Sequence, residues 1–295
     1  MTQPGRGRAR LVPLIVLAFG VMGVSSGAIF ARYADAHALV KSAYRLGIAS
    51  LILVPAAVLF YRHEYRNLAR RDVATTILSG FFLAVHFGTW ISSLDYTTVA
   101  SSVILVNTIP IWVVLINMLL GRGAPSRVMW FCVALSVVGA GIIGYGDLSF
   151  SGEALFGDAL AVAGAVSAAA YILCGKEVRK KISVTPYIAL CYGSAAVFMW
   201  AVVLALGLDF TGFTPKTWGA FLGMALVSQI IGHSSYNWAL GHFSAGFVAI
   251  MLLGEPIGSA ILALLLFKET PAPTALVGIA LLMCSIVVAA RNDRG

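Results

Sequence analysis

Charge is what this chain has least of. Charged residues make up 11% of its 295 positions, and only 12 are acidic. An ordinary soluble domain carries about 25% charged residues. No stretch between the apolar runs is long enough to fold into a water-soluble domain, which excludes a separate nucleotide-hydrolysing module within these residues. The phosphate-cradling pattern G-x-x-x-x-G-K-[ST] is absent too, because Gly175-Lys176 has no glycine five positions earlier. The H-E-x-x-H zinc pattern is also missing. Four cysteines, Cys132, Cys174, Cys191 and Cys284, lie in or at the ends of apolar runs without C-x-x-C spacing, as buried small hydrophobes do. No metal site, catalytic residue or cofactor is expected, and the chain is not read as an enzyme.

What is abundant is apolar length: 60% of the residues are hydrophobic. Ten runs, at 11–33, 37–60, 72–93, 97–119, 127–145, 154–175, 186–207, 216–237, 243–266 and 273–290, are each long enough to cross a hydrocarbon core, which takes about 17–25 residues. The fold class expected is an all-α integral membrane protein of ten transmembrane helices. The first run exceeds the h-region of a signal peptide and reads as an uncleaved helix.

The net charge of +8 is a topology signal rather than a nucleic-acid footprint. Arg6, Arg8, Arg10, Arg62, Arg66, Arg70, Arg71, Arg122, Arg127, Lys176, Arg179, Lys180, Lys181, Arg291 and Arg294 fall on one side. Only Arg32, Lys41, Lys216 and Lys268 fall on the other, and Arg45 lies inside span two. The positive-inside rule then puts both tails, 1–10 and 291–295, in the cytoplasm.

The second half repeats the first. A shift of 146 residues carries Pro110 onto Pro256, Pro125 onto Pro271 and Leu94 onto Leu240 without a gap, and brings His86 within one position of His233. The repeats are 11–145 and 154–290, each of five spans. An odd number inverts the second copy, an architecture recurrent in secondary transporters that expose one central site alternately to either side.

Polar side chains inside spans are costly and face a cavity or a partner. His86, Thr89, Trp90 and Ser93 share a face of span three. Gln229, His233, Tyr236 and Asn237 form a polar stripe on span eight, so the repeat predicts two polar, aromatic faces meeting near the midplane. Span six adds Ser167 and Tyr171. Span one adds Ser25 and Ser26 among glycines, and these serines suit a packing seam as well as a ligand contact. Pro110 and Pro256 should kink spans four and nine. Asn107 can satisfy a freed carbonyl or face a substrate. Glu255 is a buried carboxylate that is paired (with Arg45 or His233), protonated, or a proton-coupling group.

The run W-I-S-S-L-D-Y-T-T-V-A-S-S from Trp90 to Ser102, followed by Pro110-Ile111, resembles the drug/metabolite transporter superfamily, in its ten-helix EamA-like branch. Leu253-Gly254-Glu255-Pro256, then Phe267-Lys268-Glu269-Thr270 and Gly278, resembles that family's second-repeat signature. One departure stands out. The family often has a glutamate at the end of span four, where this chain has Gly121-Arg122-Gly123. Taken whole, the chain is most similar to bacterial YddG-type exporters of aromatic and other neutral amino acids. The resemblance implies a basket-shaped bundle in the inner membrane around a central cavity. It also implies small neutral cargo, with a single chain forming the pathway as a monomer. Trp90, Tyr171, Tyr236 and Trp238 would then pack on an apolar ring, while His86, Asn107, Gln229 and His233 hold an amine and a carboxylate. The competing expectations are a nucleotide-sugar or organic-phosphate carrier, a drug carrier, a channel and an intramembrane enzyme.

Overall fold

The computed structural model describes residues 6–97, 99–122, 125–144, 152–267 and 273–292, and among them every regular element is helical. The helices group into ten runs. α1 (Arg6–Ser25) and α2 (Gly27–Tyr33) form the first, α3 (Ala38–Phe60) the second, and a short α4 (Arg62–Arg66) leads to α5 (Arg70–Ser93), the third. α6 (Val99–Val106) and α7 (Ile109–Leu119) make the fourth, α8 (Arg127–Gly144) the fifth, α9 (Gly152–Val178) the sixth and α10 (Val184–Ala205) the seventh. α11 (Pro215–Gly223), a π-helix over Met224–His233 and α12 (Ser234–Ala239) form the eighth. α13 (Ala245–Leu252) and α14 (Glu255–Phe267) make the ninth, and α15 (Pro273–Asn292) the tenth. Six runs, the first four with the sixth and seventh, are long and apolar enough by themselves to cross a bilayer. The others are shorter apolar helices or are interrupted.

The interruptions follow the sequence. A proline has no N–H to give and clashes with the preceding turn, so it is tolerated only near a helix start. Pro110 and Pro256 each occupy the second position of a new helix, α7 and α14. The expected kinks are therefore full breaks, at Asn107-Thr108 and at Leu253-Gly254. Asn107 Nδ2 donates at 2.8 Å to the Val103 carbonyl, which already accepts from Asn107 N, so it does not serve the Val106 carbonyl that Pro110 leaves without a donor; its side chain lines the central cavity. The π-helix widens the coil of span eight, a device frequent at functional sites.

Packing between the runs shows the two-fold relation of the repeats. Span three lies along span six as span eight lies along span one. Span seven packs on spans two and three as span two packs on seven and eight, spans four and nine pack on six and one, and five pairs with ten. Close approach at the one–eight seam depends on glycine. A Cβ at Gly20 would meet Ser235 Cβ at 2.5 Å, and one at Gly232 would meet Val24 Cγ2 at 2.6 Å. The span-one serines belong to this seam and its neighbour: Ser26 Oγ lies 3.1 Å from Ser228 Oγ, and Ser25 Oγ donates to the Val21 and Glu255 carbonyls. Gly23-Val24-Ser25-Ser26-Gly27 spells G-x-S-x-G, but a nucleophile elbow needs a strand-to-helix turn. Here the stretch is helical, and Ser25 is bonded to main chain.

Candidate functional site

A cavity lies where spans one, three, four, six, eight and nine converge. Its volume is about 30 Å³, room for about two waters by the usual measure. A cavity of that size is too small for anything of amino-acid size unless its walls separate.

Span three supplies His86 and Trp90, whose rings are stacked at 6.0 Å with 6° between planes. His86 Nδ1 is fixed 3.0 Å from the Gly164 carbonyl of span six. Span eight supplies His233 and Tyr236, with His233 at 6.4 Å from His86 and 5.7 Å from Tyr236 between ring centroids. Tyr171 of span six, Asn107 of span four, Asn237 of span eight and Glu255 of span nine complete the polar lining. The two faces predicted from the repeat therefore meet, and both histidines stand at the junction. Val24, Ile172, Leu240 and Leu252 add apolar wall.

Gln229 stands elsewhere. It is fully buried off the cavity wall, and its Oε1 accepts from Arg45 Nε at 2.7 Å. The sequence stripe assumed α-helical periodicity, and the π-helix over Met224–His233 changes which residues share a face. Trp238 likewise leaves the cavity and packs on His242 at 4.3 Å. Arg45 is 1% exposed, with its guanidinium 4.0 Å above the Phe87 ring, and that ring meets His233 edge-on at 5.1 Å. The expected pairing of Glu255 with Arg45 or His233 is not made: among the described residues no ion pair reaches the Glu255 carboxylate within 4.0 Å.

Asn237, part of the stripe, lines the cavity and ties two tyrosines together. Its Nδ2 lies 3.0 Å from the Tyr192 hydroxyl and within hydrogen-bond reach of the Tyr171 hydroxyl. Phe87 and Tyr192 carried no signal in the sequence, because an aromatic in an apolar span reads as ordinary core. Several buried polar atoms around the cavity lack a partner among the described residues: Trp90 Nε1, His233 Nδ1, Tyr236 Oη, Asn237 Oδ1 and, one layer out, Arg45 Nη2 and Gln229 Nε2. Such atoms are rare and costly, and here they concentrate around one void.

The ends of the bundle differ. At the end where the 2–3 and 6–7 connectors meet, through Lys181–Asp72 at 2.6 Å and Ser183–Glu64, span six is latched to span eight. Lys176 Nζ donates to the carbonyls of Leu240 and Phe243 at 3.1 and 2.7 Å, and Arg179 Nε donates to Asn237 O at 3.0 Å. Cations suit the carbonyl end of a helix. Burial lowers the Arg179 guanidinium from its ordinary value, yet arginine stays charged in proteins. The repeat carries Leu94 onto Leu240. At Leu94 the structure has instead a cleft of about 180 Å³ lined by Arg32, Lys41 and Asp95.

The EamA-like transporter family model matches twice, over residues 11–145 and 155–291. The chain belongs to the EamA-like transporter family. Curated relatives of this EamA-like transporter bear out the same reading. One uncharacterized transporter of Archaeoglobus fulgidus is 25% identical over 94% of this chain and 95% of its own length. Another from that organism is 27% identical over 77% of this chain and 79% of its own length. The uncharacterized transporter YetK of Bacillus subtilis is 24% identical over 84% of this chain and 77% of its own. A solved crystal structure matches the fold with a TM-score of 0.76 at 15% identity, covering 94% of this chain and 96% of that one. The protein is a multi-pass membrane transporter. Glu269 of the second-repeat signature, with its neighbours Lys268 and Thr270, lies outside the described residues, as does Gly123 at the end of span four.

Proposed function

We propose that this EamA-like transporter is a secondary exporter of small neutral metabolites, above all aromatic and other neutral amino acids, working by alternating access. The observation that carries the reading is a cavity built jointly by two repeats, with flat rings on its walls and buried, unpartnered polar atoms on the residues that line it. A ring stacks on Trp90 and His86, and the polar end of the cargo meets Asn107, Tyr171, His233 and Tyr236. Gln229 and Arg45 act one layer behind. Pro110 and Pro256, at the breaks of spans four and nine, are the hinges. The repeats 11–145 and 154–290 rock against each other, with both tails in the cytoplasm of a bacterial inner membrane and one chain forming the whole pathway.

A nucleotide-sugar or organic-phosphate carrier needs cations at the phosphate, and among the described residues neither lysine nor arginine lines this cavity. Purified protein in proteoliposomes preloaded with phenylalanine, threonine, a nucleotide sugar or a sugar phosphate decides the matter. The expected result is saturable counterflow of labelled phenylalanine with the amino-acid loads alone. Counterflow with the phosphorylated loads alone, or flux without saturation, overturns the reading in favour of a phosphate carrier or a channel.

A further inference from the structure

We propose that Glu255 is the amine-binding residue of the cavity: its carboxylate is the counter-ion of a protonated amine that every cargo must carry. This rests on reading the cavity as the cargo site and goes beyond it, since a neutral metabolite need not contain an amine.

Four observations converge on Glu255. It lines the central cavity and is 8% exposed, so little water solvates it there. No hydrogen bond or ion pair satisfies its carboxylate among the described residues, although a buried carboxylate without a partner is severely penalised. It is the first residue of α14, where the helix dipole favours an anion. Its main-chain carbonyl is held by Ser25 Oγ at 3.1 Å, which anchors its backbone to span one.

The one buried cation among the described residues, Arg45, donates to Gln229 and covers the Phe87 ring; its Nη2 is left unpartnered, and it makes no ion pair with the Glu255 carboxylate within 4.0 Å. The cavity thus has an acceptor-only pole on span nine. The unpartnered donors Trp90 Nε1 and Tyr236 Oη line other walls. A zwitterion matches that arrangement, with its amine on Glu255 and its carboxylate toward the donors and the Arg45 side. The same pole repels phosphates and simple carboxylates.

Three ligands of one ring and chain separate the poles: phenylalanine, phenethylamine (amine only) and 3-phenylpropionate (carboxylate only). Binding to purified wild-type, Glu255→Gln and Glu255→Asp protein is measured by ligand-induced thermal stabilisation and competition. Wild type is expected to bind both amines at least tenfold more tightly than 3-phenylpropionate. Glu255→Gln should weaken both amines at least tenfold and leave 3-phenylpropionate no weaker, while Glu255→Asp keeps the wild-type ranking.

Unchanged amine affinity in Glu255→Gln overturns the proposal, including the case where only proton-driven accumulation is lost. Should that variant not fold, the wild-type ranking decides alone, and 3-phenylpropionate binding as tightly as phenethylamine overturns it. Phenethylamine bound by wild type that does not transport phenylalanine defeats the amino-acid reading and keeps the amine site. Phenylalanine transported equally by Glu255→Gln does the reverse, and no binding of either amine defeats both.

Discussion

His86, Trp90 and His233 show how a residue's setting decides whether it packs or recognises. All three are under 8% exposed, so none is a lipid-facing anchor of an aromatic belt. Trp90 is stacked on His86 within the cavity wall, with its indole N–H unpartnered. Stacking geometry adds about 0.5–1.5 kcal/mol to the burial of a ring. Trp90→Ala should therefore weaken phenylalanine or tryptophan about tenfold in competition assays on matched amounts of protein, while threonine changes little. Equal losses across the series would make Trp90 structural. These three residues were legible in the sequence because a polar or amphipathic side chain deep in an apolar span has few reasons to be there. Phe87 and Tyr192 were not legible, since the same property is silent for rings that merely continue an apolar run.

At the scale of the element, span eight departs furthest from what periodicity foretold. An α-helical wheel put Gln229 on the cavity face, and the π-helix over Met224–His233 turns it to Arg45 instead. A helix's hydrogen-bond register is not written in its polar pattern, so that error was unavoidable from sequence. The seam beside it was half legible. Small residues announced close packing, but only the structure shows that Gly20, Gly23 and Gly232 receive the opposing backbone and side chains. Gly232→Ala should lower stability by about 1–3 kcal/mol through overpacking, read as a lower melting temperature in detergent. Gly219, in α11, has nothing within 4 Å of an added Cβ. There alanine should be neutral or slightly stabilising, by up to about 1 kcal/mol from helix propensity. Equal destabilisation by both would mean that the seam carries no special constraint.

For the whole molecule, the repeat was the most readable feature, because paired prolines and matched span boundaries survive where side-chain identity does not. The fifteen-to-four split of basic residues predicts the direction of insertion, with both tails in the cytoplasm. Cysteines introduced in the 5–6 connector, for example at Gly146 or Gly152, should react with an impermeant thiol reagent on intact cells. Those at Arg66 or Lys180, both exposed at the basic end, should not. Labelling of Lys180→Cys from outside would invert the arrangement. Which end of the bundle carries the latch was not readable at all, since it uses long flexible cations whose acceptors belong to the backbone.

That last detail bears on how the protein can evolve. Lys176 and Arg179 grip carbonyl oxygens of Asn237, Leu240 and Phe243, which every amino acid supplies. A mutational scan of span eight therefore cannot delete the acceptors, whereas a single change at either donor removes its half of the grip. Across descendants of this gene the latch leaves no covarying pair of positions. Its trace is one-sided, two cations held in place opposite acceptors that any side chain would leave intact.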